Sequence, residues 1–186
     1  MGKFLKLIQV ICIPCNIYLG KPLRSLKYKG EKHEKLTDED VSRLFKGLEN
    51  SSFEGKIDLS KNGLSDLSAL YISSSLTKFK GLTELNLSDN NLHSKAGEYL
   101  GEVLTENPDY QITSISFKGN KLEEYGLRRM IVAATKNSNI KKMDLGTISD
   151  FGLELLAKEI LNTSLLKLAF KEDKDKPFSQ AMKDEF

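Results

Sequence analysis

The chain of 186 residues has room for one domain and little more. Its 39% hydrophobic and 29% charged residues suit a packed fold rather than disorder or a membrane bundle. Lys+Arg 28 against Asp+Glu 26 leaves +2, so no bulk field points to nucleic acid, and two Cys with two His are too few for a disulfide scaffold or a self-sufficient zinc site.

The chain opens on its most apolar stretch, FLKLIQVICI at 4–13. Interrupted by Lys6 and Gln9, it falls well short of the roughly 20 residues that span a bilayer. Residues 1–22 are expected to cap the open core of the first folded unit or to dock on another protein. Gly2 with Cys12 and Cys15 nearby also leaves a lipid anchor open, and a processed targeting peptide is a further alternative. Membrane contact is expected only through this segment.

Leu23-x-x-Leu26-x-Tyr28 reads as a degenerate strand. Thr37 followed by Asp38, Glu39 and Asp40 reads as a helix start, because a hydroxyl N-cap and first-turn carboxylates favour the helix's positive end. Val41, Leu44, Phe45 and Leu48 supply the face of that helix toward the core.

From Phe53 onward one pattern recurs: FEGKIDLSKNGL from Phe53, LTELNLSDNNL from Leu82, ITSISFKGNKL from Ile112 and IKKMDLGTI from Ile140. The shared frame is apolar-x-apolar-x-x-Asn-x-apolar. It places Asn62, Asn90 and Asn120 at one position, where a buried amide can satisfy turn backbone that no strand partner reaches. Equivalent strand positions Ile57, Leu85, Ile115 and Met143 are 28, 30 and 28 residues apart. A helical stretch comes after each frame. Leu67, Leu70, Ile72, Leu76 and Phe79 form the apolar stripe of the first, and Ala96, Leu100, Val103 and Leu104 that of the second. Gly126, Leu127, Met130, Ile131 and Ala134 serve in the third, and Gly152, Leu155, Leu156 and Ile160 in the fourth. The fourth frame lacks the Asn and runs short through Gly146-Thr147-Ile148, as a unit beside a terminal cap would. A last strand is expected around Leu165-x-x-Leu168-x-Phe170, and 171–186 form a charged tail.

Repeats of this length, with this strand motif, a full helix and the Gly97-x-x-Leu100 core, resemble the ribonuclease-inhibitor-like class of leucine-rich repeats across residues 23–170. The resemblance implies an α/β solenoid, a horseshoe of about five units with a parallel concave sheet and convex helices. Single units cannot bury their apolar faces alone, so neighbours must stack.

In that frame the middle row of the concave wall is Lys27, Asp58, Asn86, Ser116, Asp144 and Ala169. The row before it is Ser25, Lys56, Glu84, Ser114, Lys142 and Lys167; the row after it is Lys29, Ser60, Ser88, Lys118, Gly146 and Lys171. Glu84, Asn86, Ser116, Lys118, Lys142 and Asp144 are the candidate partner contacts, and the lysines toward the C-terminal end favour an acidic partner.

Chemistry has little to build on. Cys12-Ile-Pro-Cys15 is a lone CxxC, His33 and His93 have no ligand-spaced partner, and no phosphate-loop, dinucleotide, HExxH or GxSxG motif occurs. No catalytic residue, metal or cofactor is expected. The expected function is a non-catalytic protein–protein interaction module, a cytoplasmic scaffold or subunit of a larger assembly. Two alternatives come from the resemblance: a regulator of a small GTPase, since similar repeats form a GTPase-activating protein, and a cytoskeletal, ciliary or axonemal binding subunit. The partner is another protein, and no nucleic acid is expected.

Overall fold

The computed structural model describes residues 24–30, 35–49, 51–159 and 167–172. The expectations for residues 1–22, Leu23, His33, Ile160, Leu165 and 173–186 lie outside the described residues. Strands and helices alternate: β1 (Ser25–Lys27), α1 (Asp38–Leu48), β2 (Gly55–Asp58), α2 (Asp66–Leu76), β3 (Leu82–Asn86), α3 (Ser94–Glu106), β4 (Ser114–Ser116), α4 (Glu123–Lys136), β5 (Lys142–Ile148), α5 (Asp150–Glu159) and β6 (Lys167–Glu172). All six strands pair in parallel in chain order.

The sheet is held by apolar rows. Leu26, Ile57, Leu85, Ile115, Met143 and Leu168 are successive Cα partners across it. The first five are buried and Leu168 packs against the core at the edge. Leu59, Leu87, Phe117 and Leu145, two residues further along each unit, are fully buried. Side chains alternate across a strand, so the residues between these rows face away from the helices. Each buried Leu or Ile stabilises by about 1.5–3 kcal/mol, which only the stacking of neighbouring units makes available.

Turns between strand and helix repeat in backbone as well as sequence. Lys61, Asp89 and Gly119, each just before the repeat Asn, have φ of 64°, 54° and 74°. The Asn then ties its turn to the previous unit. Asn62 Nδ2 donates to the carbonyls of Tyr28 at 2.7 Å and Leu59 at 2.8 Å, and its Oδ1 accepts from Leu36 N at 2.8 Å. Asn90 Nδ2 donates to Leu59 O at 3.1 Å and Leu87 O at 2.8 Å, while Oδ1 accepts from Asn62 N and Leu64 N. Asn120 Nδ2 donates to Leu87 O at 2.9 Å and Phe117 O at 3.0 Å, and Oδ1 accepts from Leu92 N at 3.1 Å. Asn62 and Asn120 are buried, whereas Asn90 is only half-buried. The fourth unit closes this ladder with backbone instead: Thr147 N donates to Asn120 O at 2.9 Å, and β5 continues through Gly146 at φ 73°.

Helix starts are coupled in the same unit-to-unit fashion. Thr37 and Asp40 form the capping box of α1. Asp38 accepts from Ser65 N at 3.0 Å, Ser65 Oγ at 2.7 Å and Ser68 Oγ, so the first residue of α1 caps α2. Burial works to raise the Asp38 carboxyl, and the hydrogen bonds from Ser68 and Ser65 outweigh it, leaving the group below the usual carboxylate range. Asp66 takes His93 N at 2.6 Å, and Ser94 Oγ takes Gly126 N at 3.2 Å, repeating the device at α3 and α4.

Four side chains depart from the helical stripes expected, among them Leu70 of α2, which is only half-buried. Leu67 sits in the first turn of α2 with 43% exposure, while Ser68 and Ala69 of the same turn are fully buried, so Leu67 lies on the outer side of that turn. Phe79 is buried, but after the end of α2, where its ring meets Phe53 at a centroid distance of 6.1 Å. In α5, Leu153 joins Leu156 in the core and Leu155 is half-buried.

Candidate functional site

The sheet face turned away from the helices carries five of the six candidate contact residues, and the sixth, Lys118, lies in the turn that follows β4. Register sets Glu84 beside Ser114 and Lys56, and Asn86 beside Ser116 and Asp58. Lys142 and Asp144 lie beside Ser114 and Ser116 on β5. Lys118 stands exposed just past the end of β4. Rigid strands thus space Glu84, Asn86, Ser116, Lys142 and Asp144 at about 4.8 Å from strand to strand across the face.

Several of these side chains already have work within the chain. Glu84 Oε1 pairs with Lys56 Nζ at 2.6 Å, an exposed contact worth about 0–1 kcal/mol. Asn86 Oδ1 accepts from Ser88 N at 3.0 Å and Ser88 Oγ at 2.5 Å, and Ser88 Oγ meets Ser116 Oγ at 2.8 Å. Asp58 Oδ1 accepts from Ser60 N and Asp144 Oδ1 from Gly146 N, both at 3.0 Å. Asp58, Asn86 and Asp144 of the middle row therefore fasten the ends of β2, β3 and β5 to their own turns while keeping acceptor capacity outward.

The third row differs from the sequence expectation. Ser60 and Ser88 are buried at 5% and 8% exposure, and Gly146 is buried, because the chain already turns inward there. Lys171 is the partner of Thr147 rather than Gly146, since the register between β5 and β6 shifts after Asp144. Lys118 and Lys171 remain exposed.

Two aromatic side chains are not distinguished by the strand frame. Tyr125 and Phe151 are 56% and 50% exposed at the starts of α4 and α5. Each stands one residue before a helix glycine, Gly126 or Gly152; the residue before Gly97 in α3 is the buried Ala96. Aligning the helix glycines would have exposed the contrast. Six residues lead from Asn120 to Gly126 against seven from Asn90 to Gly97, and in the shorter turn Glu123 takes φ 56°. Tyr125 borders a cleft of about 470 Å³ shared with Ser94, Lys121, Glu123, Thr147 and Ile148.

Among the described residues, no group of three or more His, Cys, Asp and Glu side chains could hold a metal ion. No helix of these residues is long and apolar enough to cross a membrane.

No protein-family model matches the chain. It is 30% identical over 141 residues to NACHT, LRR and PYD domains-containing protein 14 of Mus musculus, covering 74% of this chain and 14% of that protein. It is 32% identical over 92 residues to NACHT, LRR and PYD domains-containing protein 13 of Homo sapiens, covering 48% of this chain and 9% of that protein. The chain thus spans a small part of the curated relatives it matches. Among solved structures it is similar to Leiomodin-1 Actin-Binding Site 2, with TM-score 0.63 and 16% identity over 85% of this chain and 87% of that one. It is also similar to the tropomodulin C-terminal domain of Caenorhabditis elegans, with TM-score 0.62 and 14% identity over 87% and 93%. At such identity the likeness is one of fold. Together with the all-parallel sheet, the comparisons fit a leucine-rich-repeat-like solenoid.

Proposed function

We propose that the chain is a non-catalytic protein-binding module of the cytoplasm that holds a cytoskeletal partner on its open sheet face. In this reading the repeats form a horseshoe of the ribonuclease-inhibitor-like class with about five units, and the open face is its concave wall. The observation that carries the reading is the open face itself, where Glu84, Asn86, Ser116, Lys118, Lys142 and Asp144 come together from three adjacent units. Strand-borne side chains are held more rigidly than loop residues, which lowers the ordering cost of association. The fold likeness to an actin-binding site of leiomodin-1 makes actin the first partner to test.

Purified full chain is expected to co-sediment with filamentous actin or to shift monomeric actin in sedimentation velocity, with micromolar affinity. Reversing Lys118 and Lys142 together (K118E/K142E) should weaken binding about tenfold with little change in stability, because both side chains are exposed. Absence of binding to either form of actin at high micromolar concentration would remove actin as the partner. Unchanged affinity in the double variant would move the contact off this face.

A further inference from the structure

Charge on the open face is arranged unevenly. At one end lysines meet acids: Lys27 is in register with Asp58, and Lys56 pairs with Glu84 at 2.6 Å. At the other end Lys142 of β5 is in register with Lys167 of β6, both exposed, so two ammonium groups stand on adjacent strands. Exposed Lys118 and Lys171 flank them. The same face also carries Asp144, whose Oδ1 accepts from Gly146 N and whose single charge is outnumbered by these four lysines. None of the ion pairs among the described residues includes these four lysines.

Like charges directly opposite one another destabilise a sheet, and Ser114, the neighbour of Lys142 on β4, shows that a small neutral residue fits this row. A counter-charge from outside would remove the repulsion. We infer that the β4–β6 end of the open face docks an acidic polypeptide segment, whose carboxylates lie over Lys118, Lys142, Lys167 and Lys171. The inference rests on the protein-binding reading above and names the chemistry of the partner. Polypeptide is favoured over nucleic acid on three grounds. The open-face rows of β4 and β5 hold no aromatic side chain to stack a base, and Phe170 of β6, 41% exposed, alternates out of the row of Lys167, Ala169 and Lys171. The cations are lysines rather than the forked arginines that grip phosphate, and net charge is only +2.

The test is fluorescence polarisation of a labelled glutamate-rich peptide with the full chain, at low and at physiological salt. Wild type is expected to bind, more weakly as salt rises. K142E/K167E should lose about tenfold in affinity, with K142Q/K167Q between the two. The control K46E/R128E makes the same change in net charge at exposed positions of α1 and α4 and should bind as wild type. Far-UV circular dichroism checks that each variant is folded, and the Gln variant carries the test if the Glu variant is not. Equal weakening in the helix control would overturn the site by reducing it to net charge. Tighter binding of a single-stranded oligonucleotide, or of phosphatidylserine vesicles, through the same lysines would overturn the choice of polypeptide. Actin sedimentation on the same proteins separates the two claims. Peptide binding without actin binding supports the acidic-segment site and removes actin, whereas actin binding without peptide binding overturns this site alone.

Discussion

Gly97→Val is expected to lower stability by about 3 kcal/mol, near the upper end of the usual cost of overpacking. A Cβ at Gly97 would stand 2.5 Å from the backbone oxygen of Gly126, and one at Gly126 would stand 2.4 Å from Ser94 O. Helices α3 and α4 meet there backbone to backbone, so no flexible side chain can yield and the helices themselves must part. Parting them loosens the buried seam of Ala96, Leu100, Leu127 and Met130. Gly47 in α1 is the contrast, since nothing lies within 4 Å of its added Cβ. Gly47→Ala should stabilise by about 0.5–1 kcal/mol through helix propensity. Urea unfolding of both variants checks the pair, and equal effects would contradict the close helix contact.

Asn120→Ala carries the second large effect. The substitution strips Leu92 N of its 3.1 Å acceptor and removes donors from Leu87 O and Phe117 O at a position buried to 3% exposure. Leu87 O keeps Asn90 Nδ2 and Phe117 O keeps Asn120 N, so the main cost is one orphaned buried N–H and a small void. Together these amount to about 2–3 kcal/mol. That corresponds to a fall in Tm of roughly 4–12 °C for a chain of this size. Asn90→Ala should cost less, because water can reach a half-buried position and replace part of its amide. Thermal unfolding followed at 222 nm orders the two, and a larger loss at Asn90 would contradict the burial argument.

The repeat asparagines were legible because each does one job set by the frame: it joins two consecutive turns, and no side chain of other shape donates twice and accepts on one plane. The apolar rows were legible for a similar reason, since Ile57, Leu85, Ile115 and Met143 share one burial and one register. The left-handed position before each Asn was not legible, because Lys61, Asp89 and Gly119 have nothing in common as side chains. Here the ladder imposes the conformation, at a cost of about 1 kcal/mol for Lys61. The fourth turn was visible as a departure, but its consequence was not. Losing the Asn let β5 run on to Ile148 and moved Lys171 opposite Thr147.

For the candidate site, periodicity places the strand side chains on the open face and stops there. It cannot reveal that Asn86, Ser88 and Ser116 are joined by hydrogen bonds, because those bonds depend on how each turn bends back on its strand. Nor did it isolate Tyr125 and Phe151, whose exposure arises from a one-residue difference in turn length and from α5 standing last among the described helices.

The claim that the open face carries the partner is tested most directly by zero-length carbodiimide cross-linking of the chain bound to actin, with the linked peptides identified by mass spectrometry. The reagent joins a lysine only to a carboxylate in contact with it, so each link reports a touching pair. Links are expected from Lys118, Lys142, Lys167 and Lys171 to acidic residues of the partner. Links confined to Lys46, Lys136 and Lys158 on the helices, with the open-face lysines unmodified, would contradict it.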